Sequence, residues 1–361
     1  MPSRKAPLPT AAASRRKKVT VDRPADVPAT RRATSYDVAR LAGVSQSAVS
    51  RCFQPGASAS AKLRVRVRRA AAELGYTPNA IARSLITRRS NLIAVLISNL
   101  TNLYYPEVLS ELSAQATIHD ERILLFAVPQ ESDIDNTLDQ VLRYQVDGVV
   151  SAVRLSPAQL EAIERRHIPV VFFNRYMRDR PVNSVCCDQV DGARALVTRL
   201  FNAGHRRFGV IAGPKDSVVG EERLRATVET LHELGIRGTP VVRGAYDYES
   251  GAKGIHELIR VGRKPPQVVV CSNDVMAIGC MDAARFELNL RVPGNLSVVG
   301  FDGVGPSTWA SYELTTIRQP IHRMAEAALT LLMDRVSNPG LPPEKRVLAG
   351  QIVLGKSARL D

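Results

Sequence analysis

Cysteine is scarce in this sequence. The chain has 5 cysteines in 361 residues, an odd number, and no two of them form a Cys-x-x-Cys pair. This usage indicates neither a disulfide framework nor a zinc site, so we expect no metal and no cofactor. Cys186 and Cys187 are neighbours that would face opposite sides of a strand, and we interpret them as one core and one surface residue.

Long apolar segments are also missing. The longest apolar runs, such as residues 93–97, have the length of a strand, whereas a membrane span needs roughly 20 apolar residues. The basic N-terminal residues are followed by alanine, proline and serine, and not by the apolar segment of a secretory signal. We therefore expect a cytoplasmic protein with no membrane partner.

Signature motifs of enzymes are absent as well. The sequence has no Gly-x-x-x-x-Gly-Lys-Ser/Thr, no Gly-x-Gly-x-x-Gly after the first predicted strand, no Gly-x-Ser-x-Gly and no His-Glu-x-x-His. The histidines are scattered, and His205, which precedes a predicted strand, is interpreted as structural. These absences disfavour an enzyme. A solute-binding protein for transport is the second alternative, disfavoured by the missing signal segment and the basic N-terminal region.

Positive charge is confined to the first quarter of the chain. Residues 1–90 contain 19 Lys/Arg and 4 Asp/Glu, a surplus of +15, and residues 91–361 contain the remaining 30 basic and 31 acidic residues, a net charge of −1. A basic head on a neutral body indicates that the head alone contacts phosphate. Residues 1–33 have almost no large apolar side chains and are predicted to be a disordered tail, with a non-specific phosphate-contacting arm as the alternative.

Residues 34–75 have the pattern of three short helices. Thr34 or Ser35 can cap a first helix that ends at Ala42, and Gly43 permits the positive φ of the following turn. Ser60 can cap a third helix that ends at Gly75. The apolar stripe of this helix consists of Leu63, Val67, Ala70, Ala71 and Leu74. Its outer face is basic and carries Arg64, Arg66, Arg68 and Arg69.

The second helix has the properties of a DNA-reading helix. Ser45 can cap it, and its apolar side is limited to Val49 and Phe53. The polar side chains that it presents elsewhere are Gln46, Ser47, Ser50 and Arg51. A helix in the major groove reads bases with a few hydrogen-bonding side chains near its N-terminal end, where Arg suits guanine and Gln suits adenine. A generic helical hairpin is the alternative interpretation.

Beyond Asn91 the pattern changes to alternating strands and helices. Strands are predicted at residues 92–98, 122–128, 147–153, 168–173, 207–212, 267–271 and 297–301, and helices at 106–118, 134–145, 191–203, 221–234 and 274–288. This alternation indicates βαβ units with parallel sheets. Because about 270 residues exceed one compact open sheet, we expect two sheets.

Short motifs extend over residues 34–89: Tyr36-Asp37-Val38-Ala39, Ala42-Gly43-Val44-Ser45, Val49-Ser50-Arg51, Ser60-Ala61-Lys62, Leu74-Gly75-Tyr76-Thr77-Pro78-Asn79 and Ala82-Arg83-Ser84-Leu85. Together they resemble, without a gap, the DNA-binding head and hinge of the lactose/galactose repressor family. The resemblance implies a helix-turn-helix domain over residues 34–78 and a hinge helix over 79–90. It also implies a dimer on palindromic operator DNA, with Leu85 inserted into the central base step from the minor groove.

The same resemblance implies further DNA contacts in the head and hinge, at Thr34, Tyr36, Ser45, Asn79 and Ala82. Leu85 could instead pack on its own regulatory domain. The residues that set operator preference are Gln46 and Ser47. Because the chain ends at Asp361 without a leucine heptad, a dimer is favoured over a tetramer.

Residues 91–361 resemble the regulatory module of this family, which is related to periplasmic sugar-binding proteins. The matching segments are Asp147-Gly148-Val149-Val150, Ile168-Pro169-Val170-Val171, Gly204-His205-Arg206-Arg207, Ile211-Ala212-Gly213-Pro214, Ser272-Asn273-Asp274-Val275-Met276-Ala277-Ile278-Gly279, Val292-Pro293, Val298-Val299-Gly300-Phe301-Asp302-Gly303 and Leu314-Thr315-Thr316-Ile317. The expected fold is an all-α helix-turn-helix head plus an α/β module of two parallel-sheet lobes. We expect lobe 1 at about 91–174 and 320–345, and lobe 2 at about 175–319 and 346–361.

Several polar and aromatic residues follow predicted strand ends, where parallel sheets present ligand-binding groups. The candidate effector-binding residues are Tyr104, Tyr105, Asn174, Arg175, Arg223, Tyr246, Asn273 and Asp302. Such a set suits a small hydroxylated ligand, a sugar or related metabolite. Asp302 could instead cap the turn before Gly303, and Arg223 could pair with a neighbouring surface glutamate.

Three positions depart from the family pattern. Asn174 stands where Asp is common, Gln189 where Asn often follows Asp188, and Ala226 where Gly often follows the arginine by three residues. The first two departures alter the polarity of the expected cleft and so bear on the identity of the effector.

Overall fold

The structure is a computed structural model that describes residues 31–54, 56–78, 89–98, 100, 102–128, 133–262 and 264–360. The chain divides into two compact units, Met1–Ile86 and Thr87–Asp361. Most of the expected tail, and the hinge positions Asn79, Ala82 and Leu85, lie outside the described residues. Within the described ranges, no helix combines the length and apolar character needed to cross a membrane.

The first unit, which we call the head, contains three helices in its described part. They are α1 (Ser35–Ala42), α2 (Gln46–Phe53) and α3 (Ala61–Glu73). Ser45 Oγ accepts a hydrogen bond from the Ala48 N–H at 3.2 Å, and Ser60 Oγ accepts one from the Leu63 N–H at 3.3 Å. Gly43 has φ 62°, which a side chain would disfavour. These local signals explain why the predicted helix positions agree with the structure.

The N-terminus of α1 is held by the Asp37 carboxylate. The backbone N–H and the hydroxyl of Thr34 donate to Asp37 Oδ2 at 2.9 and 2.7 Å, and Arg31 pairs with Oδ1 at 3.0 Å. The Thr34 hydrogen bonds, more than the arginine, lower the pKa of Asp37 to about 2. Arg31 thus contacts α1, although it was expected in the disordered tail.

Two predictions for the head are wrong in detail. The buried side of α2 consists of Ala48, Val49 and Cys52, while Phe53 is only half-buried. The small side chains of Ala48 and Cys52 allow the short helices to approach closely, whereas the sequence pattern predicted Phe53 at this contact. Arg64 is not part of an outer basic face, because its guanidinium turns inward and donates to the Cys52 carbonyl at 3.2 Å.

Lobe 1 of the second unit is built on a six-stranded parallel sheet. Its strands are β1 (Leu92–Ser98), β2 (Arg122–Val128), β3 (Gly148–Ser151), β4 (Val170–Phe173), β5 (Ser184–Cys187) and β11 (Lys345–Leu348), in the order β11-β5-β4-β3-β1-β2. The helices of this lobe are α4 (Tyr105–Ile118), α5 (Ile134–Arg143), α6 (Pro157–Glu164) and α11 (Ile321–Ser337).

Lobe 2 has a second six-stranded sheet. Its strands are β6 (Phe208–Ala212), β7 (Val241–Arg243), β8 (Val268–Cys271), β9 (Ser297–Asp302), β10 (Thr315–Arg318) and β12 (Gln351–Val353), in the order β12-β10-β9-β8-β6-β7. The pairing is parallel except for the antiparallel edge strand β12. The helices are α7 (Gln189–Asn202), α8 (Val218–Glu233), α9 (Tyr248–Val261) and α10 (Asp274–Asp282), which is followed by a π-helical segment, Ala283–Glu287.

The chain passes between the lobes three times, and two expected boundaries are wrong. We expected lobe 1 to end near residue 174, but β5 pairs with β4, so the first passage follows Cys187. The second passage joins β10 to α11. We expected the third near residue 345, but β11 pairs with β5 along its full length, so that passage follows Leu348. Both strands are too short for the sequence pattern to reveal them.

The two lobes share an apolar core. One buried cluster includes Ile93 and Phe173 of the lobe 1 sheet together with Val299 and Ile317 of the lobe 2 sheet. Cys186 and Cys187 are 3% and 2% exposed, so the interpretation of one of them as a surface residue is wrong. Both faces of a parallel sheet are covered, and alternation along a strand therefore does not predict exposure.

The start of the second unit is fixed to lobe 1. The backbone N–H and the hydroxyl of Ser90 donate to Asp147 Oδ1 at 2.8 and 2.9 Å, and the Asn91 N–H donates to Oδ2 at 3.0 Å. Arg89 pairs with the buried Glu121 at 2.8 Å. The last residues of the expected hinge are therefore anchored to the regulatory module.

Candidate functional site

The exposed face of α2 is the candidate DNA-reading surface. Because Ala48, Val49 and Cys52 are buried, the opposite side of this helix carries the polar residues that the sequence singled out. Ser45, Gln46, Ser47 and Arg51 are exposed and Ser50 is half-buried. The Ser45 and Ser47 hydroxyls lie 3.0 Å apart, and the Gln46 amide donates to the Ser35 hydroxyl at 3.4 Å.

The rest of the head surface is strongly basic. Tyr36 is exposed beside α2, whereas the Thr34 hydroxyl is already bonded to Asp37. Exposed cations in the described part of the head are Arg31, Arg32, Arg40, Arg51, Lys62, Arg66, Arg68 and Arg69. This charge attracts phosphate without regard to base sequence, and the exposed polar side chains of α2 are the candidates for reading bases.

A cleft lies between the two lobes at the carboxyl ends of the strands. It contains about 560 Å³ of space not occupied by protein, part of it continuous with solvent. Seven of the eight candidate effector-binding residues line it: Tyr104, Tyr105, Asn174, Arg175, Arg223, Tyr246 and Asp302. Most of the residues singled out in the sequence therefore surround one cleft.

The eighth candidate, Asn273, has a structural role. Its Oδ1 accepts a hydrogen bond from the Met276 N–H at 3.0 Å and so caps α10. Its amide donates to the Tyr246 carbonyl at 3.2 Å. The strand-end rule correctly located Asn273 at the edge of the sheet, but it cannot distinguish a helix cap from a group that lines the cleft.

Arg223 and Asp302 form a buried ion pair in the cleft wall. Their side chains are 7% and 6% exposed, and the guanidinium lies 3.1 Å from the carboxylate. Arg223 also donates to Gln189 Oε1 and to the Ser272 carbonyl, both at 2.6 Å, and stacks on the Phe301 ring at 3.8 Å. Burial raises the pKa of Asp302, and the Arg223 guanidinium acts in the opposite direction.

Hydrogen bonds continue from this ion pair into lobe 1. The Gln319 amide donates to Asp302 at 2.7 Å, and its Oε1 accepts from the Asn174 amide at 2.6 Å. Gln319 Oε1 also accepts from the Tyr104 hydroxyl at 3.2 Å. Asn174 Oδ1 accepts from the Gln189 amide at 3.4 Å, which closes a ring of side chains. This ring joins Asn174 of lobe 1 to Asp302 of lobe 2.

The backbone at three cleft residues is strained. Asn174, Tyr246 and Asp302 have φ values of 49°, 64° and 116°, which are unfavourable for residues with side chains. The turn after Asp302 is held by Asp274, whose Oδ2 accepts from the N–H groups of Gly303 and Val304 at 2.7 and 2.9 Å. Such strain is typical of functional sites, where surrounding contacts fix the backbone.

The Tyr246 ring is positioned by glycines. A side chain at Gly213 or Gly220 would overlap the ring or its hydroxyl. The hydroxyl forms a hydrogen bond with Ser217 Oγ at 3.0 Å. The absence of side chains at these glycines thus lets the ring approach α8 and form one wall of the cleft.

Sequence reasoning missed several residues that line the cleft: Ser98, Asn102, Phe173, Ser217, Val219 and Gln319. Gln319 is the most important omission, because it connects the two lobes. It directly follows β10, whose residues were part of a matching motif but were not recognised as a strand. The rule that placed the other candidates at strand ends would have found it.

This chain is similar to transcriptional regulators and to a related binding domain. Residues 34–79 match the model for bacterial regulatory proteins of the lacI family, and residues 197–358 match a periplasmic binding protein-like domain. The transcriptional repressor CytR of Escherichia coli (strain K12) is 29% identical over 331 residues, which cover 91% of this chain and 96% of CytR. The ribose operon repressor of Haemophilus influenzae is 29% identical over 328 residues, 90% of this chain and 98% of that repressor.

Solved structures of regulators resemble this chain over a similar share of its length. The Lac repressor dimer bound to operator and the anti-inducer ONPF has a TM-score of 0.82 at 28% identity, covering 91% of this chain and 99% of that one. The chain belongs to the lacI family. It is a DNA-binding transcriptional repressor and not an enzyme, since this family consists of transcriptional regulators. The regulator CelR in complex with cellobiose has a TM-score of 0.69 at 27% identity, over 91% of this chain and 100% of CelR.

Proposed function

We propose that this repressor binds a palindromic operator as a homodimer and that a small hydroxylated effector in the cleft controls the binding. The operator half-site is read by Gln46, Ser47 and Arg51 on α2. Thr34, Tyr36, Ser45, Ser50, Asn79 and Ala82 supply further DNA contacts. The protein then acts in the cytoplasm, associated with the nucleoid through its operator. The operator-bound Lac repressor dimer supports this proposal by its likeness to 91% of this chain.

An exposed aromatic surface on lobe 2 is the proposed dimer contact. Phe286, Trp309 and Tyr248 are 79%, 60% and 40% exposed. Tyr248 and Tyr312 both donate to Asp282 Oδ2 at 3.0 Å, which brings these two tyrosines together. The Tyr312 N–H donates to the Trp309 carbonyl at 2.8 Å, and Arg285, next to Phe286, donates to the Ser311 carbonyl at 2.6 Å. Large exposed apolar side chains in one patch mark an interaction site, and a two-fold dimer would place two heads on the two halves of a palindrome.

The chemistry of the cleft favours a sugar or a sugar-derived metabolite. Carboxylate and amide oxygens accept hydroxyl protons, a guanidinium donates in return, and the Tyr246 ring offers an apolar face. CelR, a relative by structure, was solved with cellobiose. Asp302 and Arg223 are the residues that we propose as the main ligand contacts.

The ring of hydrogen bonds across the cleft is the observation that carries the regulatory part of the proposal. Asn174 of lobe 1 and Asp302 of lobe 2 each bond to Gln319, so a ligand among them changes the free energy of one lobe arrangement relative to another. An effector shifts operator binding only by this difference in affinity. Arg89 and Ser90, anchored on lobe 1, then transmit the change to the hinge.

The hinge wedge is part of the same proposal. Leu85, an apolar residue in a polar linker, inserts into the central base step of the operator. Leu85→Ala should therefore weaken operator binding and leave effector affinity unchanged. If operator affinity stays the same, the wedge is wrong.

The proposal is tested by selecting DNA from a random pool with the full-length protein. We expect an inverted repeat to be enriched, and a compound that raises the melting temperature of the protein should change its affinity for that repeat. An increase identifies a corepressor and a decrease an inducer. Enrichment of no inverted repeat, or no response to any bound compound, would contradict the proposal.

A further inference from the structure

The two arginines of the cleft differ in what they bind. Each of the three guanidinium nitrogens of Arg223 has a partner in the protein, namely Asp302, Gln189 or the Ser272 carbonyl. Arg175, by contrast, makes one hydrogen bond within the described residues, from Nη1 to the Asn174 carbonyl at 2.8 Å. It follows β4 and is half-buried in the cleft wall. Most of its donor groups therefore have no hydrogen-bond partner within the described parts of the chain.

The charges that line the cleft do not balance. Among the described lining residues, Arg175, Arg223 and Asp302 are charged, and Asp302 already pairs with Arg223. The two acidic side chains in the first turns of α8 are engaged elsewhere. Glu222 accepts from the Tyr176 hydroxyl at 2.6 Å, and Glu221 pairs with Arg243. The described residues thus leave a net positive charge in the cleft, and none of their carboxylates forms an ion pair with Arg175.

Residue 174 is an asparagine and so supplies no negative charge beside Arg175. An aspartate at this position would place a carboxylate next to Arg175. The amide of Asn174 is instead committed, because it donates to the Tyr104 hydroxyl and to Gln319 and accepts from the Cys187 N–H at 3.0 Å. A half-buried guanidinium that lacks a counterion is costly unless a ligand supplies one.

We propose that the effector is an anion, a hydroxylated small molecule whose carboxylate or phosphate group binds Arg175. This inference rests on the proposed function of the cleft as the effector site. The Tyr105 hydroxyl makes no hydrogen bond to the described residues and lines the same cleft, so it is available as a second donor. A planar guanidinium and a phenolic hydroxyl are a suitable pair for a carboxylate or phosphate.

The test compares ligands that share one sugar carbon skeleton and differ in charge. The full-length protein is mixed with hexoses and pentoses, with the corresponding uronic and aldonic acids, and with the sugar phosphates, and its melting temperature is measured. Titration calorimetry then gives the affinities. We expect an acid or a phosphate to bind about 10- to 100-fold more tightly than its neutral parent, the worth of charge-assisted hydrogen bonds. Within one series of compounds, a rise in melting temperature with the sugar acid identifies a carboxylate effector, and a rise with the sugar phosphate identifies a phosphate effector.

Two variants assign the effect to one side chain. Arg175→Met should remove the preference for the anion and leave the weak binding of the neutral parent in place. Arg178→Met removes an equal charge from an exposed position three residues away, and it should preserve the preference. Melting curves without ligand show whether each variant is folded.

Several results would overturn the inference. These are a neutral sugar or a nucleoside that binds as tightly as any anion, an absence of binding by every anion tested, or an Arg175→Met protein that keeps its preference. A neutral compound that binds and alters operator affinity would leave the proposed function intact while excluding an anionic effector.

Discussion

The guanidinium of Arg223 lies 3.1 Å from the carboxylate of Asp302, and both side chains are almost fully buried in the cleft wall. Removing one member leaves the other as an uncompensated buried charge, at a cost of about 3–5 kcal/mol. We expect Asp302→Ala and Arg223→Met each to lower the free energy of unfolding, measured in urea, by about this amount, and to abolish effector binding. The double variant should lose clearly less than the sum of the two. Strict additivity would show that the pair does not interact in solution.

Gly220 should control the position of the Tyr246 ring. A Cβ at residue 220 would overlap the Tyr246 hydroxyl, so Gly220→Ala should displace the ring and weaken effector binding about 10-fold, or about 1.4 kcal/mol. Adding Tyr246→Phe removes the overlapping atom and should restore part of the affinity. Gly340→Ala is the control, because a Cβ there meets open space. Calorimetry on the four proteins checks this, and the absence of any recovery would refute the overlap.

Arg51 should discriminate between bases. It is exposed on α2, and a bidentate contact with a base contributes about 1–3 kcal/mol of discrimination. Arg51→Ala should therefore weaken operator binding about 5- to 150-fold and random-sequence binding far less. Arg69→Ala, an equal loss of charge on α3, should weaken both by a similar small factor. Gel-shift titrations of the wild-type protein and both variants on the two DNAs measure these affinities; an equal loss on both DNAs for Arg51→Ala would exclude base reading.

His205 should make the stability of the regulatory module depend on pH. Burial lowers the pKa of this imidazole, whose Nε2 lies 3.0 Å from the Arg359 carbonyl and whose buried Nδ1 has no hydrogen-bond partner among the described residues. Since an unfolded histidine titrates near pH ~6.5, the unfolded state binds the proton first. Stability should fall as the pH drops from about 6.5 toward the lowered pKa.

The corresponding variant tests this sign. His205→Gln should flatten the decline of melting temperature between pH 7 and pH 5. His322→Gln should not flatten it, because a hydrogen bond to Glu111 raises the pKa of His322 and its contribution has the opposite sign. Identical slopes in the wild-type and His205→Gln proteins would mean that His205 does not titrate as described.

Local patterns predicted the elements whose signals are local. The serine caps and Gly43 define the bounds of α1 and α2 because they act within one turn of the helix. The long apolar strands β1 and β2 were likewise evident. The short strands β5 and β11 were not, because four residues carry too little periodicity and their pairing is decided by contacts distant in the chain.

Most of the candidate residues that line the cleft were predicted from the sequence, but the hydrogen bonds between them were not. Strand ends located Asp302 and Asn174, since parallel strands present their carboxyl ends on one side of the sheet. The same rule predicted that Asn273 lines the cleft, whereas in the structure Asn273 caps α10. Which polar groups bond to one another depends on distances across the lobes, and for that reason Gln319 was missed.

Coupling between effector and operator is the most direct test of this account. Operator affinity is measured by fluorescence anisotropy with and without a saturating effector, in the wild-type protein and in Gln319→Met, which removes the hydrogen bonds that Gln319 makes to Asn174 and to Asp302. We expect the effector to change the wild-type affinity at least about 5-fold. In a folded Gln319→Met protein that still binds the effector, the factor should approach one. An equal factor in both proteins, or no effect in the wild type, would contradict the account.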